Sequence, residues 1–394
     1  MEQMQRPIDQ TAKMRSAYNR TALGLGALYE VYQGIGSFFL IAAGVVAAIV
    51  LMLKAPELLS DELSIDAIME QILELGMMRW ILLLYAIGMV AGMSAGLPLM
   101  RVIRGRVEPI EKRSLPFLQF LCIVLIVFGV WGAGAAFGNL PAFFGVDESS
   151  ILDTILTEYR ADAWPLYLYV CIGAPVFEEL ACRKLLLDRL HPYGTGYAAI
   201  VSGLLFGLIH GNSAQFFLAF FVGVVFALVY LKTGRVLYTI LLHAIINTTA
   251  SLPELVAIAG IDIELGWNIA VGCLVVAGLV VLIVRHRAVF GLLTASDVPG
   301  SNRAVWRNPG MLIVRIAGLV MLVAVDLLQI VAALIVGNYG ELLRLIPMAT
   351  ALVLILLLPR WTRGWEPPAP VPEPMPPTPP YGMPTPPYLP GESA

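Results

Sequence analysis

Ionisable side chains are scarce in the apolar stretches of this 394-residue sequence, and the few present are spaced as if for hydrolytic chemistry. Glu178 and Glu179 lie in an apolar run that ends at Arg183; His210 closes a second run; His243 and Asn247 lie inside a third. A charge held away from water is costly, so each of these residues is a functional candidate. Glu179 and Arg183 are i,i+4 with the acid first, the favourable order for a helical ion pair. That pair would keep Glu179 ionised and leave Glu178 without a cation in its own turn. A desolvated carboxylate without a cation binds a proton more readily, which suits a general base. His243 and Asn247, also i,i+4, would face the same way, and an imidazole beside an amide can aim two donors at one developing oxyanion. Phe206 and His210 share a face by the same spacing, ring beneath imidazole.

Each residue has a plainer reading. A buried Glu–Arg pair is often a packing element, and a buried histidine commonly bonds a carbonyl. Two His, two Glu, an Arg and an Asn within 70 residues of otherwise apolar chain are harder to set aside.

The elements that must position these groups follow from composition. The chain is 58% hydrophobic and 13% charged, with mean hydropathy +0.80. Soluble domains carry about 25% charged residues. The balance excludes a soluble enzyme and a disordered scaffold, and the net charge of −3 lacks the basic footprint of a nucleic-acid binder. The fold expected is all-α, a polytopic transmembrane bundle of about 8–10 spanning helices, because helices satisfy their own backbone in lipid. Apolar runs near 35–53, 79–100, 116–139, 164–182, 196–211, 214–231, 236–253, 267–284, 310–337 and 344–359 are the candidates, the fifth being short. Threaded this way, about 21 of the 25 basic residues fall on one face. That predicts a multi-pass protein of a membrane, a bacterial plasma membrane being the first expectation, with both termini cytoplasmic.

The chain divides into a cytoplasmic segment (1–34), two accessory helices with loops (35–115), a core with the reactive residues (116–284), C-terminal accessory helices (285–365) and a disordered proline-rich tail (366–394). The first 20 residues are polar and read as no cleavable signal. Residues 54–78 carry apolar spacing that suits a short helix on the outer surface. The tail holds Thr378-Pro-Pro-Tyr381 and Thr385-Pro-Pro-Tyr388, extended sequence that can dock an aromatic groove on a protein partner. Cys122, Cys171, Cys182 and Cys273 form no C-x-x-C pair and read as packing residues. Arg315 reads as reaching for the interface and Asp326 as bonding within the bundle; Asp326 and Gln329, i,i+3 in the ninth run, mildly favour a proton or ion path.

Glu178-Glu179-x-x-x-Arg183, Phe206-x-x-x-His210 and His243-x-x-x-Asn247 resemble, in order, the three motifs of the CAAX protease and bacteriocin-processing (CPBP) family of intramembrane proteases. The resemblance covers roughly residues 116–284. It implies an endopeptidase acting on membrane-associated or C-terminal segments of a peptide or membrane-protein substrate within the lipid bilayer. It implies that Glu178, assisted by His210, activates water, that His243 and Asn247 stabilise the oxyanion, and that Glu179 and Arg183 orient the site. It favours a metal-free glutamate mechanism with no cofactor, although members are often called metalloproteases. By residue type alone, Glu178, His210 and His243 are also a permissible zinc set. Lys184 departs from the family, where glycine is common, which bears on local helix geometry. A proton- or ion-coupled transporter using Asp326, and a catalytically silent scaffold working through the tail, are the competing readings.

Overall fold

A computed structural model describes residues 34–54 (except 37 and 40), 71–102 (except 73), 109–140, 160–191, 195–294, 309–335 and 339–361. The N-terminal segment, the greater part of the 54–78 stretch and the proline-rich tail lie outside the described residues. All ten apolar runs are helical. In chain order they are α1 (Gly34–Lys54), α2 (Met78–Val102), α3 (Phe117–Gly138), α4 (Trp164–Leu190), α5 (Thr195–Leu208), α6 (Ser213–Thr233), α7 (Val236–Ala257), α8 (Glu264–Thr294), α9 (Pro309–Ile335) and α10 (Leu345–Trp361). There is no strand among the described residues. Among the described residues seven helices, α1–α4 and α6–α8, are long and apolar enough to cross a membrane. The chain is an all-α polytopic bundle.

α5 is the shortest of the ten. Its 14 residues rise about 21 Å, short of a hydrocarbon core about 30 Å thick. It ends at Leu208, and the chain turns back through Gly211 (φ 72°), a left-handed conformation that costs glycine little. Asn212 then caps α6, its side chain accepting the Gln215 N–H at 2.9 Å. α5 and α6 pack as an antiparallel hairpin, and every residue of α5 from Gly196 to Leu208 is buried. His210 sits at the hairpin's turn.

Prolines bend the two helices that flank this hairpin. In a regular helix the Pro175 ring would strike the carbonyl of Cys171. α4 answers with a widened π turn over Tyr169–Gly173, the Ala174 N–H reaching back to the Tyr169 carbonyl. A second π turn spans Leu180–Leu185, so Glu178 and Glu179 lie on a short α-helical piece between two irregular turns. Such turns leave carbonyls for other donors. In α7, Pro253 deprives the Thr249 carbonyl of its usual donor, and the Trp267 indole N–H of α8 supplies one at 2.9 Å. The 160–162 turn before α4 is tied outward by Arg79–Asp162 (3.0 Å) and Arg160–Glu254 (3.4 Å).

The accessory helices share the core. Leu322 of α9 and Met348, Ala351 and Ile355 of α10 pack in one cluster with Leu204, Leu208 and Phe216. Met78 to Met93 of α2 pack with Leu166, Tyr167 and Phe206. Arg315, near the start of α9, finds a partner on α10. It is buried, donating to the Ile355 carbonyl at 2.8 Å, because α10 packs over it and offers an acceptor closer than water.

Candidate active site

The adjacent glutamates of α4 point about 100° apart and have separate environments. Glu179 is wholly buried and Glu178 half-buried. Glu179 Oε2 meets Arg183 Nε at 2.9 Å, one turn on, and Oε1 meets His243 Nδ1 of α7 at 3.1 Å. The Thr239 hydroxyl, one turn before His243 on the same face, donates to the Val236 carbonyl at 2.9 Å. Arg183 is also wholly buried. It donates to Ser202 Oγ at 3.2 Å, and its guanidinium carbon stands 4.5 Å from the Phe206 ring centroid and 5.6 Å from that of Phe226. These π faces meet a cation that lacks a full set of hydrogen bonds. Ser202 in turn donates to the Cys182 carbonyl at 3.0 Å, inside the second π turn.

His210 arrives from the hairpin. Its Nδ1 is 2.7 Å from the Phe206 carbonyl. A carbonyl only accepts, so Nδ1 carries the proton and Nε2 of the neutral ring is left as an acceptor. Phe206 packs edge-on against both imidazoles, with centroids at 5.1 Å (His210) and 5.7 Å (His243). Glu178 lies near enough for its charge to act on His210. Asn247 does not lie free beside His243. Its Nδ2 donates to the Val170 carbonyl at 2.8 Å, in the first π turn, which leaves one amide N–H uncommitted.

Glu178, Glu179, Arg183, Phe206, His210, His243 and Asn247 are therefore carried by three elements: α4, the α5–α6 hairpin and α7. Lys184, the departure at the motif's edge, pairs with Asp188, whose other oxygen accepts the Tyr230 hydroxyl at 2.6 Å. Sequence reasoning missed Ser202, Thr239 and the Val170 carbonyl. The signal for the first two was present: Ser202–Phe206–His210 and Thr239–His243–Asn247 each continue a stripe of four-residue steps by one turn.

Among the described residues no three His, Cys, Asp or Glu side chains gather closely enough to hold a metal ion. Glu178, His210 and His243 do not form the zinc set their types permit. His243 commits Nδ1 to Glu179 rather than approaching Glu178, and both imidazoles lean on Phe206.

Residues 160–249 match the family model "Type II CAAX prenyl endopeptidase Rce1-like". The chain is also 29% identical over 153 residues to "Putative membrane peptidase YdiL" of Bacillus subtilis (strain 168), a match covering 37% of this chain and 60% of that relative's length. No solved structure matches the chain. The family match encloses every motif residue of the site, and over that segment the chain is similar to the type II CAAX prenyl endopeptidases.

Proposed function

We propose that this chain is an intramembrane endopeptidase in which Glu178 activates water. The observation that carries the reading is the division between two neighbouring carboxylates. Glu179 is buried and held by Arg183 and His243, whereas Glu178 is half-buried and forms no ion pair among the described residues, and His210 presents an acceptor nitrogen.

A water between Glu178 and His210 Nε2 gives its proton to the carboxylate as its oxygen attacks the scissile carbonyl. The tetrahedral oxyanion accepts from the uncommitted N–H of Asn247 and from His243 Nε2. With Nδ1–H donated to Glu179, Nε2 donates only when the ring carries both protons, and Glu179 is the counter-charge for that state. Collapse of the intermediate returns the Glu178 proton to the leaving amine. The reaction drawn this way uses protein groups alone. Arg183, clasped by Phe206 and Ser202, holds Glu179 against drift.

The substrate in this reading is a membrane-associated or C-terminal peptide segment; processing of a CAAX terminus is one instance, suggested by the family's name. The site opens toward the basic, cytoplasmic face of a bacterial plasma membrane, with both termini on that side, and the proline-rich tail recruits a protein partner. The test compares new protein termini across the proteome in cells with wild type or Glu178→Ala at matched levels. Termini dependent on the wild type support the proposal and reveal the cleavage context. Identical termini, with both proteins folded and inserted, reject it in favour of a silent scaffold.

A further inference from the structure

Asp326 lies outside the matched segment, on α9, yet it is wholly buried in a helix that packs against the hairpin. Its Oδ1 accepts the backbone N–H of Ser213 at 3.3 Å, and the buried Ser213 hydroxyl makes no hydrogen bond among the described residues. Ser213 is the first residue of α6, three beyond His210. The first N–H groups of a helix have no partner within it, and this one finds its acceptor on another helix.

A second contact grips the other flank of the turn. Two helical turns before Asp326, on the same face, Gly318 lies against Leu208; a Cβ added there would stand 2.9 Å from the Leu208 Cβ. Leu322, between the two, is buried in the cluster that contains Leu208 and Phe216. Leu208 and Ser213 bracket the turn that holds His210. The Arg344 charge acts on Asp326 from the 3₁₀ turn before α10, so the last two helices act on this point together.

We propose that Asp326 is a positioning residue for His210: the α9 face Gly318–Leu322–Asp326 clamps both ends of the hairpin turn and fixes the imidazole relative to Glu178. A catalytic role for His210 rests on the function proposed above, but the clamp itself does not.

The sequence offers a selective probe. Proline at the first position of a helix is well tolerated, and Asn212 already has the extended conformation (φ −142°, ψ 157°) that a following proline demands. Ser213→Pro therefore removes the N–H that Asp326 accepts without breaking α6. Ser213→Ala keeps that N–H, Asp326→Asn keeps an acceptor, and Asp326→Leu removes it.

Full-length protein in nanodiscs, with ring-labelled histidine, gives four imidazole signals, each assignable by a His→Gln variant. The expected result is that Ser213→Pro and Asp326→Leu shift the His210 signal and leave His243 in place, while Ser213→Ala and Asp326→Asn leave both. On a cleaved substrate, Ser213→Pro lowers kcat by about 10- to 100-fold, the scale of a catalytic group misplaced by about 1 Å, with KM within about twofold. In a His210→Ala background the same substitution costs nothing further. An unmoved His210 signal in folded Ser213→Pro overturns the clamp, as does a kcat loss that multiplies with that of His210→Ala. If the wild type cleaves nothing, the protease reading fails and the His210 signal still decides the clamp.

Discussion

Arg183→Met is the sharpest test of the buried centre. Glu179 and Arg183 are both fully shielded from solvent, 2.9 Å apart. Methionine fills much of the arginine stem's volume but leaves the carboxylate without its cation. Removing one partner of a buried pair costs about 3–5 kcal/mol, chiefly because the other charge stays behind. Arg183→Met also gives up the Ser202 hydrogen bond, about 1 kcal/mol, and the Phe206 contact, about 2 kcal/mol at most. The discriminating measurement is the double variant Glu179→Gln/Arg183→Met. The amide still accepts from His243 Nδ1, yet no charge remains to be desolvated. Reversible unfolding in mixed micelles should therefore find the double variant about 1–3 kcal/mol more stable than Arg183→Met alone. Both should be inactive. A double variant as unstable as the sum of the two single changes would refute the argument, because it would mean that charge desolvation does not govern this site.

Glu178→Gln should abolish proteolysis while changing unfolding free energy by less than about 1 kcal/mol, since Glu178 forms no ion pair among the described residues; substrate turnover and micellar unfolding on one preparation check both. Asn247→Ala should lower kcat about 10²- to 10³-fold and also destabilise by about 1–3 kcal/mol, because the Val170 carbonyl loses its donor. Trp267→Phe should cost about 1 kcal/mol by orphaning the Thr249 carbonyl, and should speed amide exchange near Pro253 with kcat within a few fold of wild type. Treatment with a strong zinc chelator should leave turnover unchanged; a loss restored by added zinc would contradict the donor geometry.

The bundle was legible because each helix is an apolar run bounded by charge or turn residues, and periodicity adds little when nearly every position is apolar. The split between Glu178 and Glu179 was also legible, because one turn of helix puts Arg183 beside the second and not the first. The depth of His210 was not. Thr195–Leu208 reads as a spanning run cut slightly short, and only its packing on Ser213–Thr233 makes it one arm of a hairpin. The two π turns of α4 were half-signalled by Pro175; the second has no sequence mark that we can name. The acceptors of Asn247, Ser202 and Arg315 are backbone carbonyls of other helices, and a carbonyl carries no side-chain signature. For Arg315 the distance from the helix start was legible, but the Ile355 carbonyl that holds it was not.

The brevity of α5 also bears on how the protein is made. A 14-residue helix about 9 Å shorter than the hydrocarbon layer is a poor candidate for independent insertion as the ribosome delivers it. With every residue from Gly196 to Leu208 covered in the finished protein, its packing comes from other helices rather than from lipid. It is paired with Ser213–Thr233 as one hairpin, and faces of that hairpin are covered by α9 and α10. The packing around the hairpin is therefore complete only once α9 and α10 have joined the bundle.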